Sequence, residues 1–155
     1  MREKRLLKDL QMLTELDQSS DLIEVQHTGD PPLKYIVTYH CTSLIWLEGS
    51  SSPSYANRHQ LEIYLHREYP RRPPALKWLT DIFHPNVMPP KKNGGVCIGG
   101  WSAAETLDNL CLRIGEMLQY KSFNLDDPLN EEAAEWAKEH LDSFPVDRRQ
   151  LLKQR

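Results

Sequence analysis

The hydrophobic pattern changes period twice along this chain, from helical to strand-like and back, and no other feature narrows the fold as far. Leu6, Leu10, Leu13 and Leu16 recur at intervals of three and four, so residues 2–17 read as an amphipathic helix. From Asp21 to about Thr80 the pattern becomes short β-branched and aromatic runs: LIEVQH at 22–27, KYIVTYHC at 34–41, HQLEIYLH at 59–66 and ALKWLT at 75–80. Turn chemistry separates them in TGDPP, EGSSSPSYAN and YPRRPP, and TSLIWL at 42–47 reads as an extension of the second strand. Residues 81–105 carry four glycines and no sustained period, which makes them a long irregular loop of the kind that often holds function.

Helical spacing then returns. Leu107, Leu110, Cys111, Ile114, Met117 and Leu118 form one apolar face after a Thr106 cap. Asn130 caps a third helix whose first turn holds Glu131 and Glu132, favourable to its dipole, and residues 146–154 read as a weaker last helix. The expected architecture is α+β: an N-terminal helix, a four-stranded antiparallel meander, a long loop, then two or three helices, all in one domain over residues 1–155.

Composition removes several function classes. With 39% hydrophobic and 26% charged residues the chain has the makeup of an ordinary globular protein. A net charge of −3 argues against a protein built to grip nucleic acid. No run approaches the ~20 apolar residues of a membrane span, and the basic N-terminus lacks the apolar stretch of a signal peptide. The cysteines Cys41, Cys97 and Cys111 form neither a disulfide framework nor a CxxC metal site, which points to a reducing compartment, the cytoplasm. The histidines His27, His40, His59 and His66 show no metal-ligand spacing.

Among the thiols, Cys41 falls in a strand and Cys111 on an apolar helix face, both places for small core residues. Cys97 differs, because GGVCIGGW sets it in the long loop between glycines that let another backbone approach.

At this point the sequence resembles the ubiquitin-conjugating enzyme family over most of its length. Tyr69-Pro70 with Pro73-Pro74 is similar to the family's proline loop, and His84-Pro85-Asn86 to its signature tripeptide. Cys97 falls where the family has its thioester cysteine, Trp101-Ser102 resembles the tryptophan that follows, and Asp126-Asp127-Pro128-Leu129 the segment before the next helix. Each match is weak alone; five in order are specific.

The resemblance implies that ubiquitin or a ubiquitin-like protein arrives from an activating enzyme, is held as a thioester on Cys97 and passes to a lysine amine of a protein target. No metal or organic cofactor is implied, since the activated bond arrives already made. Asn86 would donate to the tetrahedral oxyanion or brace the loop, and Asp127 would orient the amine, although an Asp before Pro is also ordinary turn chemistry. His84 and Pro85 would be structural, and Trp101 and Tyr69 packing anchors. The basic residues Arg2, Lys4, Arg5 and Lys8 of the first helix would meet the activating enzyme.

The sequence also departs from the family. VMPPKKNGGV, between Asn86 and Cys97, is longer than usual, and CIGGW is shorter, resembling stand-alone relatives in bacterial ubiquitin-like and antiviral operons. Gly99 stands where an acidic residue often follows the cysteine. Arg71 stands where many relatives place a ligase-docking phenylalanine, which leaves the use of a ligase open. Two other functions compete: a noncatalytic variant that binds the modifier, favoured by the rebuilt loop, and a cysteine hydrolase, which needs a histidine beside the thiolate. After Cys97 the sequence offers only His140 for that task.

Overall fold

The computed structural model describes residues 2–153, and its first element is α1, Arg2–Ser19. Leu6, Leu13 and Leu16 on one face are buried against the core, each burial contributing about 1.5–3 kcal/mol. α1 packs on β1 (Ile23–Gly29), β2 (Pro32–Tyr39) and α2 (Leu107–Leu118). The expected four-stranded antiparallel meander is present in the order β1-β2-β5-β6, where β5 is His59–Tyr64 and β6 Ala75–Trp78. Val37 of β2 faces Val25 of β1 and Leu61 of β5, and Leu61 faces Trp78 of β6. In β5 the period-two alternation places His59, Leu61 and Ile63 inside.

TSLIWL does not extend the second strand. Ser43–Ile45 forms β3, which pairs with β4 (Ser54–Ala56) in a separate two-stranded ribbon. The helices follow the expected order: α2 presents Leu107, Leu110, Cys111, Ile114 and Leu118 to the sheet, and α3 spans Glu131–Glu139. Residues 146–153 are not helical, and residue 154 lies outside the described residues. Their backbone groups bond to the end of α1 instead: Lys153 N donates to Ser19 O, and Ser20 Oγ to Leu151 O. Leu151 also packs over Gly115, where any side chain would displace it.

The helix starts differ. At α3 the Asn130 side chain accepts from Ala133 N at 3.0 Å, whereas Thr106 at α2 has the extended backbone of a cap without a side-chain hydrogen bond. Asn130→Ala is therefore expected to cost about 1 kcal/mol in urea unfolding, and Thr106→Ala clearly less. Equal losses at the two positions would contradict this assignment of the caps.

Candidate functional site

The segment after β6 is less irregular than its composition predicts. Val87 bridges to both His84 and Val96, Met88 N donates to Gly95 O, and Cys97 N donates to Asn86 O at 2.9 Å. The extra residues between Asn86 and Cys97 thus form a short hairpin, with a 3-10 turn over Pro90–Lys92 at its far end. Gly94 docks this hairpin on β6: its φ is +67°, its carbonyl accepts from Trp78 N, and a Cβ there would lie 2.7 Å from Trp78 O.

His84, Pro85 and Asn86 each fasten the hairpin to another element. His84 is fully buried; its Nδ1 accepts from Asn86 N at 3.0 Å, so its Nε2 carries the proton and donates to Met117 O at 2.7 Å. Burial pushes its pKa down to about 4, so it is neutral at pH 7. Pro85 O accepts from Leu129 N and Asn130 N at the start of α3. The Asn86 side chain makes a two-way pair with Asn124, donating from Nδ2 to its carbonyl at 2.8 Å and accepting its N–H at 2.9 Å. Asn86 therefore braces the loop beneath Cys97, with one Nδ2 proton outside that pair.

The three free thiols separate by environment. Cys41 and Cys111 are buried, and burial pushes each pKa up to about 12; Cys97 is exposed. Cys97 lines a cleft of about 440 Å³ together with Asn86, Gly99, Arg113, Glu116 and Asn124. Among the described residues no histidine lines this cleft. His140 stacks on Trp136 at 4.0 Å and its Nδ1 donates to Trp136 O, so the thiol–histidine pair of a cysteine hydrolase is not assembled here.

Gly99 has a φ of +75° and turns the shortened segment after the thiol. Arg113 of α2 holds that segment, donating from Nη1 to Ile98 O at 2.7 Å and from Nη2 to Gly100 O at 3.3 Å, while its Nε and Nη2 bind both oxygens of Glu105. Trp101 donates from Nε1 to Pro70 O at 2.9 Å and packs on Tyr69, tying the cysteine segment to the proline loop. Asp127 is exposed with a φ of +53°, three residues beyond Asn124, and does not line the cleft.

The four basic residues of α1 divide. Lys4 and Lys8 are exposed. Arg2 donates to Leu65 O, His66 O and Tyr69 O, and Arg5 to Ala103 O, Glu105 O, Tyr69 Oη and Asp9. Asp9, which the sequence reading passed over, is fully buried; besides Arg5 it accepts from the Tyr69 hydroxyl and Leu107 N. Its only sequence signal is a carboxylate on an otherwise apolar helix face. Arg113, Glu105 and Glu116 were also missed, since Arg113 and Glu116 read as charges on a solvated helix face and Glu105 as part of the loop before α2.

Comparison with known proteins accords with this geometry. The family model described as Ubiquitin-conjugating enzyme matches residues 5–150. Ubiquitin-conjugating enzyme E2 13 of Schizosaccharomyces pombe is 30% identical across 88% of this chain and 86% of that protein. Ubiquitin-conjugating enzyme E2 N of Macaca fascicularis is 36% identical across 55% of this chain and 56% of its own length. The E2 domain of a Toxoplasma gondii ubiquitin conjugating enzyme has the same fold, with a TM-score of 0.64 at 24% identity over 94% of this chain and 92% of that one. The family's model thus runs through the His84 turn, the Cys97 hairpin and the Asp9 anchor alike, and the chain belongs to the ubiquitin-conjugating enzyme family.

Proposed function

We propose that this protein accepts ubiquitin or a ubiquitin-like protein from an activating enzyme as a thioester on Cys97 Sγ, then transfers it to a lysine of a protein target. The observation that carries this reading is the position of Cys97: the exposed thiol of the three, in a cleft, with its backbone held opposite Asn86. Charging exchanges one thioester for another, the thiolate of Cys97 displacing that of the activating enzyme. Transfer passes through a tetrahedral oxyanion, for which the remaining Nδ2 proton of Asn86 is a neutral donor. Asp127, exposed on the segment before α3, would orient the acceptor amine and favour its deprotonation.

Lys4 and Lys8 are the exposed cations of α1 that an acidic surface of the activating enzyme would meet, whereas Arg2 and Arg5 hold the fold. Among the described residues no helix is long and apolar enough to cross a membrane. The three free cysteines support work in a reducing compartment such as the cytoplasm. Arg71, at the tip of the proline loop, is 81% exposed and pairs with Glu68, so a ligase docking there would meet charge in place of an aromatic ring.

The test is charging. The protein is incubated with ATP, an activating enzyme and its modifier, both ubiquitin and the ubiquitin-like protein encoded beside it if this is a bacterial operon member. A non-reducing gel should show an adduct that thiol reagents remove and that Cys97→Ala does not form. Lack of an adduct with an active activating enzyme, together with binding of the free modifier, would instead support a noncatalytic binding module.

A further inference from the structure

We infer that Arg113 of α2 is a positioning residue for Cys97, fixing where the thiol stands during both charging and transfer, an inference that rests on the thioester reading above. The chain that leaves Cys97, residues 98–101, has little of its own to hold it. Among the described residues none of these four makes a backbone–backbone hydrogen bond. A Cβ built on Gly99 or Gly100 would meet nothing within 4 Å, so packing does not hold them either. Two successive glycines give such a segment wide conformational freedom.

Side chains supply what the backbone lacks. Arg113 Nη1 donates to Ile98 O at 2.7 Å and Nη2 to Gly100 O at 3.3 Å, one carbonyl on each side of the left-handed Gly99. The guanidinium is itself fixed by Glu105, which accepts from Nε at 2.8 Å and from Nη2 at 2.9 Å. Glu105 is anchored in turn: Arg5 of α1 donates to its carbonyl and to that of Ala103, and Asn109 Nδ2 to its carboxylate at 3.1 Å. Two arginines from two helices thus hold four carbonyls of residues 98–105. Ile98 and Trp101 pack against the core without help from Arg113, so what its fork fixes is the peptide groups next to the thiol.

Cys97 is therefore held from both sides, by its own N–H on Asn86 O at 2.9 Å and by Arg113 through Ile98 O. Both steps need the sulfur at one place relative to the Asn86 side chain. In charging, the Cys97 thiolate bonds to the carbonyl carbon as the activating enzyme's sulfur leaves as a thiolate. In transfer, a neutral lysine amine forms the C–N bond, the C–S bond breaks with Cys97 leaving as a thiolate, and one nitrogen proton passes to solvent. Because Glu105 matches its charge, Arg113 acts through geometry.

The experiment measures charging, lysine discharge and urea unfolding of wild type, Arg113→Ala and Arg113→Lys. Arg113→Ala is expected to lower the maximal rates of both steps about 30-fold, with the half-saturating concentration in charging within about twofold of wild type. Its urea midpoint should move by less than about 0.5 M, because the pair is partly exposed. Millimolar guanidinium chloride, far below the denaturing range, should restore part of the rate in Arg113→Ala, and sodium chloride should not. Arg113→Lys keeps the charge without the fork, and should stay at least about fivefold below wild type. Unchanged rates in Arg113→Ala would overturn the inference, and full activity in Arg113→Lys would do so by making charge the cause. So would a raised half-saturating concentration at unchanged maximal rate, which marks a docking residue, or a rate loss that follows the urea midpoint with no guanidinium rescue, which marks a purely structural one. A wild-type protein that does not charge at all would remove the thioester reading and the inference with it.

Discussion

Asp9→Ala is expected to destabilise the protein by about 3–5 kcal/mol, the range for removing one partner of a buried ion pair. Asp9 is fully buried, and the Arg5 side chain that it binds at 2.9 Å is only 14% exposed. The substitution leaves that guanidinium without its counter-ion and deprives the Tyr69 hydroxyl and Leu107 N of an acceptor. Arg5 also lies over the Tyr69 ring at 5.1 Å. Four parts of the chain meet at this ion pair: α1, the proline loop and the start of α2 through Asp9, and the segment after Trp101 through Arg5. Urea unfolding should show a lower midpoint with an unchanged slope. Asp9→Leu combined with Arg5→Met should cost less than Asp9→Ala alone, because no lone charge remains buried. A loss below about 1 kcal/mol for Asp9→Ala would mean that the pair is solvated and anchors nothing.

The contrast between Asp9 and its neighbours explains what the sequence could reveal. The leucines of α1 announce a helix because period alone determines which face is buried. Asp9 lies on the same face and looks like a break in the pattern; its burial is made tolerable by Arg5 one turn before it together with partners 60 and 98 residues away, Tyr69 and Leu107, which no local pattern reveals. The β3–β4 ribbon was hidden for a related reason. Three-residue strands carry no period, and Ser54–Ala56 sits in a Ser- and Pro-rich stretch that reads as turn. Residues 146–153 have enough apolar and long-chain residues for a helix, but α1 offers their backbone groups partners that a local turn would have to give up.

The site divides in the same way. Cys97 was legible because glycines flank a thiol in a loop, and His84-Pro85-Asn86 because three successive residues form one pattern. The cleft was not, since it exists only where the Cys97 hairpin, α2 and the 122–124 segment come together. That Glu116 lines the cleft with Cys97 therefore follows from tertiary placement alone. For Arg113, eight positions separate it from Glu105 and fifteen from Ile98, spacings that no local rule connects.

Buried neutral histidine gives the fold an acid limit, and stability is expected to fall by up to about 3 kcal/mol as pH drops from about 6.5 to about 4 through His84 alone. The sign follows from the direction of the shift. Burial lowers the folded pKa from 6.5 to about 4, so between those values the unfolded chain binds a proton that the folded chain does not. The stabilisation is fully present above pH 6.5 and is lost through that window. Protonation would force a second N–H against Asn86 N–H, which now donates to Nδ1, and place a charge beside the Tyr120 ring, 4.6 Å away in an apolar cluster. His59, also buried with a lowered pKa, adds to the same slope, so the share of His84 must be isolated by substitution. Asp147 acts lower: against the upward push of burial, Arg149 and backbone N–H groups hold it at about 2, outside the window. Urea midpoints measured from about pH 4.5 to about pH 7.5 should rise for wild type and rise less steeply for His84→Gln. A wild-type midpoint that stays flat across that range would show that His84 takes up its proton without cost. Because His84 bonds both Met117 O and Asn86 N, the same protonation loosens the hairpin under Cys97, so charging should fail at or above the pH at which the fold does.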